Sequence, residues 1–372
     1  MSQSNTAGNE DRDIWDAFDE AVDNAEAQLE QAWANHELVQ QTEEPLSEEY
    51  ISSLTQLEET IQEFDSVYEV TEAELERANG VDASTDFLAA VTLTYREYHE
   101  GIIDRRAEIA KEWFDTLASC IEASDSDVAA DQSTLRRKIR ALEKLTNAGK
   151  YSQLLTSDRI ELADIEDKIR ELDRAVRDAV PTDVYTSATV SLTESFHDQY
   201  TTDLSALVQE GADRESISIT DHVADLPELD PIVEKVETND QTADDAEALG
   251  TIVGAYAEVA LLTGRRVQTY KLGEKLLSIV ETSDLQDTVD DTDELHRGLK
   301  AFQIEPIERI VGRIVEGEAT TSDTERLLQV LSKHDGSVRQ TVESLDRPTD
   351  ELFADLHELF VTDEVSDLEV QF

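Results

Sequence analysis

Residues 86–123 read DFLAAVTLTYREYHEGIIDRRAEIAKEWFDTLASCIEA. Apolar side chains recur in this stretch at Leu88, Val91, Tyr95, Tyr98, Ile102, Ile109 and Trp113. Steps of three, four and seven line one side of an α-helix and match no alternating strand. No proline interrupts them, so the spacing predicts one helix from about Asp86 to Ala123. A helix that long buries its stripe only against other helices. Two suitable neighbours precede it. Ile14, Phe18, Val22, Leu29 and Trp33, continued by Leu38 and Val39, predict a first helix that ends at Glu43–Pro45. Leu54, Leu57, Ile61, Phe64, Tyr68 and Leu75 predict a second, stopped near Asn79-Gly80. After a disordered tail over residues 1–10, residues 11–130 are therefore expected to form an antiparallel bundle with short loops.

Downstream the pattern stays helical but shorter. Leu135, Ile139, Leu142 and Leu145 form one stripe, interrupted at Gly149–Ser152, and Leu162, Ile165, Ile169, Leu172 and Val176 follow at heptad spacing. Residues 131–180 are expected to form a coiled-coil-like helical hairpin. Pro181 then marks a boundary, and residues 181–319 are expected to be a second helical domain. Its helices are predicted from about Val184 to Glu210 and over 244–282, 284–303 and 305–317. The looser region 211–243 includes Ser216–Thr220, an alternation readable as a brief strand or an exposed turn. The expected class is all-α: a long-helix bundle with the hairpin and a small C-terminal module.

The charge is extreme. There are 86 Asp and Glu against 31 Lys and Arg, a formal net charge of −55 over 372 residues. The acids are interleaved with apolar positions, and 39% hydrophobic residues is enough for a core, so disorder of the whole chain does not fit. In molar salt the Debye length shrinks to about 3 Å, and the self-repulsion of such a surface is screened. Carboxylates then keep the protein hydrated and dispersed. In these respects the chain resembles the acidic cytoplasmic proteins of haloarchaea. The single cysteine, Cys120, excludes an intrachain disulfide. Its neighbours Trp113, Phe114, Leu117 and Ile121 make it a buried structural thiol in this reading. No apolar stretch follows the polar opening Met1–Glu10, which predicts no signal peptide and a cytoplasmic location. The low-charge run Gly250–Gly264 is too short to span a bilayer and reads as a buried helix.

The last fifty residues have a distinct order. Leu327, Leu328 and Leu331 share a face that ends at His334-Asp335-Gly336; Ser337 is placed to cap a short helix carrying Val338, Val342 and Leu345. After Asp346-Arg347-Pro348, Thr349 is placed to cap a third helix with Leu352, Phe353, Leu356, Leu359 and Phe360, and Ser366–Phe372 alternates as a strand does. Within the expected module at 320–372, residues 322–372 resemble the winged helix-turn-helix superfamily. That resemblance implies DNA binding through the third helix. The outward positions of that helix include Asp350, Glu351, Asp355, His357 and Glu358, with no Lys or Arg among them. The nearby cations are only Lys333, Arg339 and Arg347. Phosphate contacts need cations, so the module is expected to bind protein rather than DNA.

No constellation supports an enzyme, and no cofactor is expected. Thr263-Gly264-Arg265-Arg266 and Leu272-Gly273-Glu274-Lys275 lack the glycine spacing of phosphate loops, and the His residues are scattered away from zinc spacing. Glu194-Ser195-Phe196-His197 has the Glu-x-x-His form of di-iron bundles, which require two such motifs and two further Glu. In so acidic a chain it is expected to be a chance match.

The exception to the acidic field is Arg136, Arg137, Lys138, Arg140, Lys144 and Lys150, followed by a weaker cluster of Arg265, Arg266, Lys271 and Lys275. The favoured reading pairs the first cluster with Glu161, Asp164, Glu166, Asp167 and Glu171 on the facing arm of the hairpin. The other reading is a contact for nucleic acid or an acidic partner. The expected function is a non-enzymatic scaffold or adaptor of a halophilic cytoplasm with protein partners. The alternative is a DNA-associated regulator or chromosome-organisation factor using residues 136–150 and 265–275 with the winged helix. A homo-oligomer is compatible with either, and a membrane is not expected. The halophilic reading predicts that circular dichroism loses helix signal as KCl is withdrawn. Full helicity with cooperative melting in dilute buffer would contradict it.

Overall fold

The computed structural model describes residues 7–42, 45–128, 132–155, 161–212, 228–282, 292–301 and 303–320. The described residues are α-helical with short connections, and no strand occurs among them. In chain order the helices are α1 (Ala7–Val39), α2 (Glu48–Phe64), α3 (Glu72–Ser124), α4 (Gln132–Thr146), α5 (Tyr151–Leu155) and α6 (Leu162–Ala179). They are followed by α7 (Thr182–Gln209), α8 (Asp230–Thr238), α9 (Ala243–Thr282), α10 (Thr292–Lys300) and α11 (Glu305–Thr320). The all-α class is therefore as expected from the spacing. The winged-helix-like segment and the Ser216–Thr220 alternation lie outside the described residues.

Two expected boundaries move: α1 begins at Ala7, inside the expected tail 1–10, and the break between the second and third helices lies earlier. The second helix stops at Phe64 rather than near Gly80, and α3 starts at Glu72 rather than Asp86. Ser66 closes the end of α2: its hydroxyl donates to the Glu63 carbonyl at 2.7 Å and its N–H to the same oxygen at 3.0 Å. Tyr68 then stands in solvent, 95% exposed. Thr71 opens α3, its hydroxyl accepting the N–H of Glu74 at 3.3 Å, which satisfies one of the orphan donors of a helix start. Asn79-Gly80 lies inside α3. The exposed Gly80 has open space where a Cβ would stand, and Ala78 and Val81 beside it are buried, so the apolar stripe continues past a weak helix former.

The helices divide into two compact units whose boundaries fall within α1, α3 and α11. Among the described residues, one gathers the first part of α1 up to Glu26, Ser47–Thr85 and Gly312–Thr320. It buries Phe18, Leu54, Leu57, Ile61 and Phe64. The Phe18 and Phe64 rings meet edge to face at 5.4 Å, and the Arg77 guanidinium lies over Phe64 at 5.2 Å while pairing with Glu63.

The other unit comprises Ala27–Leu46 and Asp86–Val311. Its centre is the pairing of α7 with α9. Leu142 of α4, Ile165, Ile169, Leu172 and Val176 of α6, and Phe114 and Leu117 of α3 join Tyr185, Phe196, Leu249 and Val253 in one apolar cluster. Helix α9 is long and apolar enough to cross a membrane by length and composition. In this unit it lies along α7, and Leu249, Val253, Ala257 and Ala260 are buried. Its start is fixed by a reciprocal cap in which Thr242 N–H donates to Asp245 at 2.8 Å and Asp245 N–H donates to the Thr242 hydroxyl at 3.3 Å. Lys235 of α8 pairs with the same carboxylate. The Lys235 pair and the Thr242 hydrogen bonds hold the Asp245 carboxyl down at about 2.

The position of Gly80 gives a direct check. Gly80→Ala is expected to raise stability by about 0.5–1 kcal/mol in denaturant unfolding, because alanine is the better helix former at an exposed interior site. A helix that ended at Gly80 would be destabilised instead.

Candidate interaction surface

Helix α4 sorts its side chains by angle. At 3.6 residues per turn, Leu135, Ile139 and Leu142 share one side, and all three are buried. The cations at Arg136 and Lys138 fall on the two flanks. Arg136 turns toward α3, where its guanidinium pairs with Glu122 at 3.3 Å and lies 5.8 Å from the centre of the Phe114 ring. Lys138 turns toward α6 and pairs with Asp164, which Lys168 also contacts. Those pairs hold the Asp164 carboxyl below the usual range. Arg137, Arg140 and Lys144 fall within about 60° of arc on the outer side. All three are exposed, as is Lys150 in the turn beyond, and none makes an ion pair with a described residue.

The acids expected to neutralise the cluster mostly go elsewhere. Asp164 alone of the five takes a cation of the 136–150 cluster in these pairs. Glu166 receives Arg106 of α3 through two hydrogen bonds, at 2.8 and 3.2 Å. Asp167 lies 3.7 Å from Arg170 on its own helix. The physical reason is geometric: α4 and α6 bury their stripes in the same apolar cluster, so only one flank of each helix faces the other.

A groove of about 340 Å³ runs between α3 and α4 beside the outer face. Phe114, Ala118 and Ile139 line its floor, and Lys111, Arg136 and Arg140 stand on its rim with Asp115, Glu122 and Glu143. Lys111 is paired with Glu143 at 2.8 Å, and Arg136 with Glu122, so Arg140 is the rim cation that continues into the outer stripe.

The second cluster is tied down in part, at Lys275. Lys275 pairs with Glu97 of α3, and neither Arg265 nor Arg266 is free. Arg105, outside both clusters, ties α3 to α7 through Asp203 and Gln199. The acidic side works the same way: Glu112 of α3 accepts from Ser195 and from Gln199, the latter at 2.8 Å.

Two other places carry titratable groups. Glu194 and His197 of α7 are both exposed, and the His197 ring lies against Tyr200 and Tyr256. Among the described residues no group of His, Cys, Asp and Glu is disposed to hold a metal ion. Deep in the core, Asp173 of α6 accepts from Tyr185 Oη at 3.1 and 3.2 Å and from Trp113 Nε1 at 3.4 Å. Only 4% of Asp173 is exposed, and burial raises its carboxyl above the usual range against the opposing pull of these donors and Arg177. Burial, with the negative Asp173 nearby, also pushes the Cys120 thiol up to about 11, so the thiolate is disfavoured. The Asp173 node is not legible in the sequence, because Trp113, Asp173 and Tyr185 sit on three different helices.

A raised carboxyl contributes its stability below the ordinary carboxylate range and loses it as pH rises through the raised value. Asp173→Asn keeps an acceptor for Tyr185 without the charge. The stability difference between wild type and D173N, measured by denaturant unfolding across acid to neutral pH, should therefore shift in favour of the variant as pH rises. Asp173→Ala strands the Tyr185 hydroxyl and is expected to lose about 2–4 kcal/mol.

Compared with known proteins, the chain matches no protein-family model, no curated protein and no solved structure.

Proposed function

We propose that the chain is a non-enzymatic helical scaffold or adaptor of a halophilic cytoplasm, which docks protein partners through its helical faces and a C-terminal winged-helix-like module. The observation that supports this is the outer face of α4. Its neighbours Arg136 and Lys138 are each spent on an interhelical pair, whereas Arg137, Arg140 and Lys144 are held outward on a rigid helix. In a chain with 86 acids and 31 basic residues, three exposed cations on one arc form a local positive face within a negative field. Such a face suits a partner that presents a few carboxylates.

The regulator alternative would need a larger cationic footprint. Lys275, in the second cluster, is bound within its own unit. A duplex-binding footprint of about 6–10 phosphate contacts exceeds what the outer face of α4 supplies. The reading is tested by chemical cross-linking of the native chain in concentrated KCl, with fluorescence anisotropy against duplex DNA under the same conditions. Protein adducts without saturable DNA binding are the expected outcome. Saturable DNA binding with no protein adduct would favour the regulator.

A further inference from the structure

Resting on the adaptor reading, we propose that α4 docks an acidic amphipathic helix of a partner protein. The carboxylates of that helix pair with Arg137, Arg140 and Lys144, and one large apolar side chain enters the α3–α4 groove.

The register follows from the spacing. Arg137, Arg140 and Lys144 repeat at i, i+3 and i+7, the interval at which acids on one side of a second helix recur. The groove adjoins the stripe at Arg140. Its rim charges at Lys111 and Arg136 are already neutralised by Glu143 and Glu122, so an apolar side chain can enter without stranding a cation. At about 1 M salt ion pairs act only at contact, since the Debye length is about 3 Å. The apolar anchor then supplies affinity, and the pairs set register and exclude wrong partners.

Nucleic acid fits the same face poorly. The exposed residues of α4 and its following turn include Ser133, Arg137, Arg140, Lys144, Asn147 and Lys150 but no aromatic ring, so bases find no stacking platform. Tyr151, the nearest ring in sequence, is buried and donates to both oxygens of Asp104 at 2.8 Å. The acids spread over the rest of the chain also oppose an extended polyanion, whereas a short partner helix brings only local charge.

The probe is a fluorescent helical peptide of about 20 residues with Glu at i, i+3 and i+7 beside one Leu, titrated by anisotropy in KCl at which circular dichroism shows full helix. A scramble of the same composition and a DNA duplex are the comparisons. Saturable binding is expected for the amphipathic peptide, weakened about tenfold or more by R137E/R140E/K144E, all exposed positions whose change leaves the core intact. Ser119 also lines the groove, and Ser119→Trp, which fills it without altering charge, should weaken binding comparably. Equal binding of the scramble, tighter binding of DNA, unchanged binding by the triple variant or no binding by any probe would each overturn the proposal. The adaptor reading fails separately, if cross-linking yields no protein complex with the wild-type chain. Complexes that persist undiminished in the triple variant would overturn the α4 site alone.

Discussion

Helix α9 can approach α6 and α7 as it does because Gly250 brings no side chain to the place where Arg177, Tyr185 and Asp173 meet. A Cβ there would stand 2.7 Å from the Arg177 guanidinium and 3.1 Å from the Tyr185 hydroxyl. The same spot is where the apolar core admits a buried carboxylate, held by Tyr185 and Trp113 and faced by Arg177. Three helices therefore converge on one polar node, and a fourth is allowed close enough to cover it. Gly264 repeats the device further along α9, where a Cβ would meet the Arg105 side chain at 2.9 Å. Burying a charge is expensive unless its hydrogen bonds are made, so the node ties the mutual placement of α3, α6, α7 and α9 to a few specific donors.

Around that centre, the scarcity of cations shapes the surface. With 31 basic residues among 86 acids, each cation is a tie that one helix can make to another. Arg105 links α3 to α7, Arg106 links α3 to α6, Lys111 links α3 to α4, and Lys275 links α9 to α3. Such pairs, partly buried at Arg105 and Arg106 and exposed at Lys111 and Lys275, help to fix register between helices, even where their net contribution to stability is small. A basic residue left out of such ties is therefore conspicuous here in a way it would not be on an ordinary surface. Arg137, Arg140 and Lys144 are left out because of their angle on α4, not because acid is lacking nearby.

Much of this was legible in the residues. The stripes of α1, α3, α4 and α6 were set by spacing alone, and so was the buried character of Gly250–Gly264. The misplaced break between α2 and α3 shows the limit. Asn79-Gly80 carries the familiar signature of a helix stop, yet buried Ala78 and Val81 keep the stripe running, and Thr71 with Glu74 three positions on was the better signal. Distance to the turn pairs 136–150 with 161–171. Lys138 and Asp164 do meet, whereas Glu166 takes Arg106, which lies far away in sequence.

By itself the sequence determined the helical class, the buried stripes of α1, α3, α4 and α6, and the negative field around them. All three follow from local periodicity and composition. Only the tertiary structure decided which cations are spent and which stand free, where the buried carboxylate finds its donors, and how closely α9 approaches its neighbours. Those outcomes depend on which flank of a helix faces which neighbour across tens of residues of chain, and a one-dimensional pattern does not carry that angle.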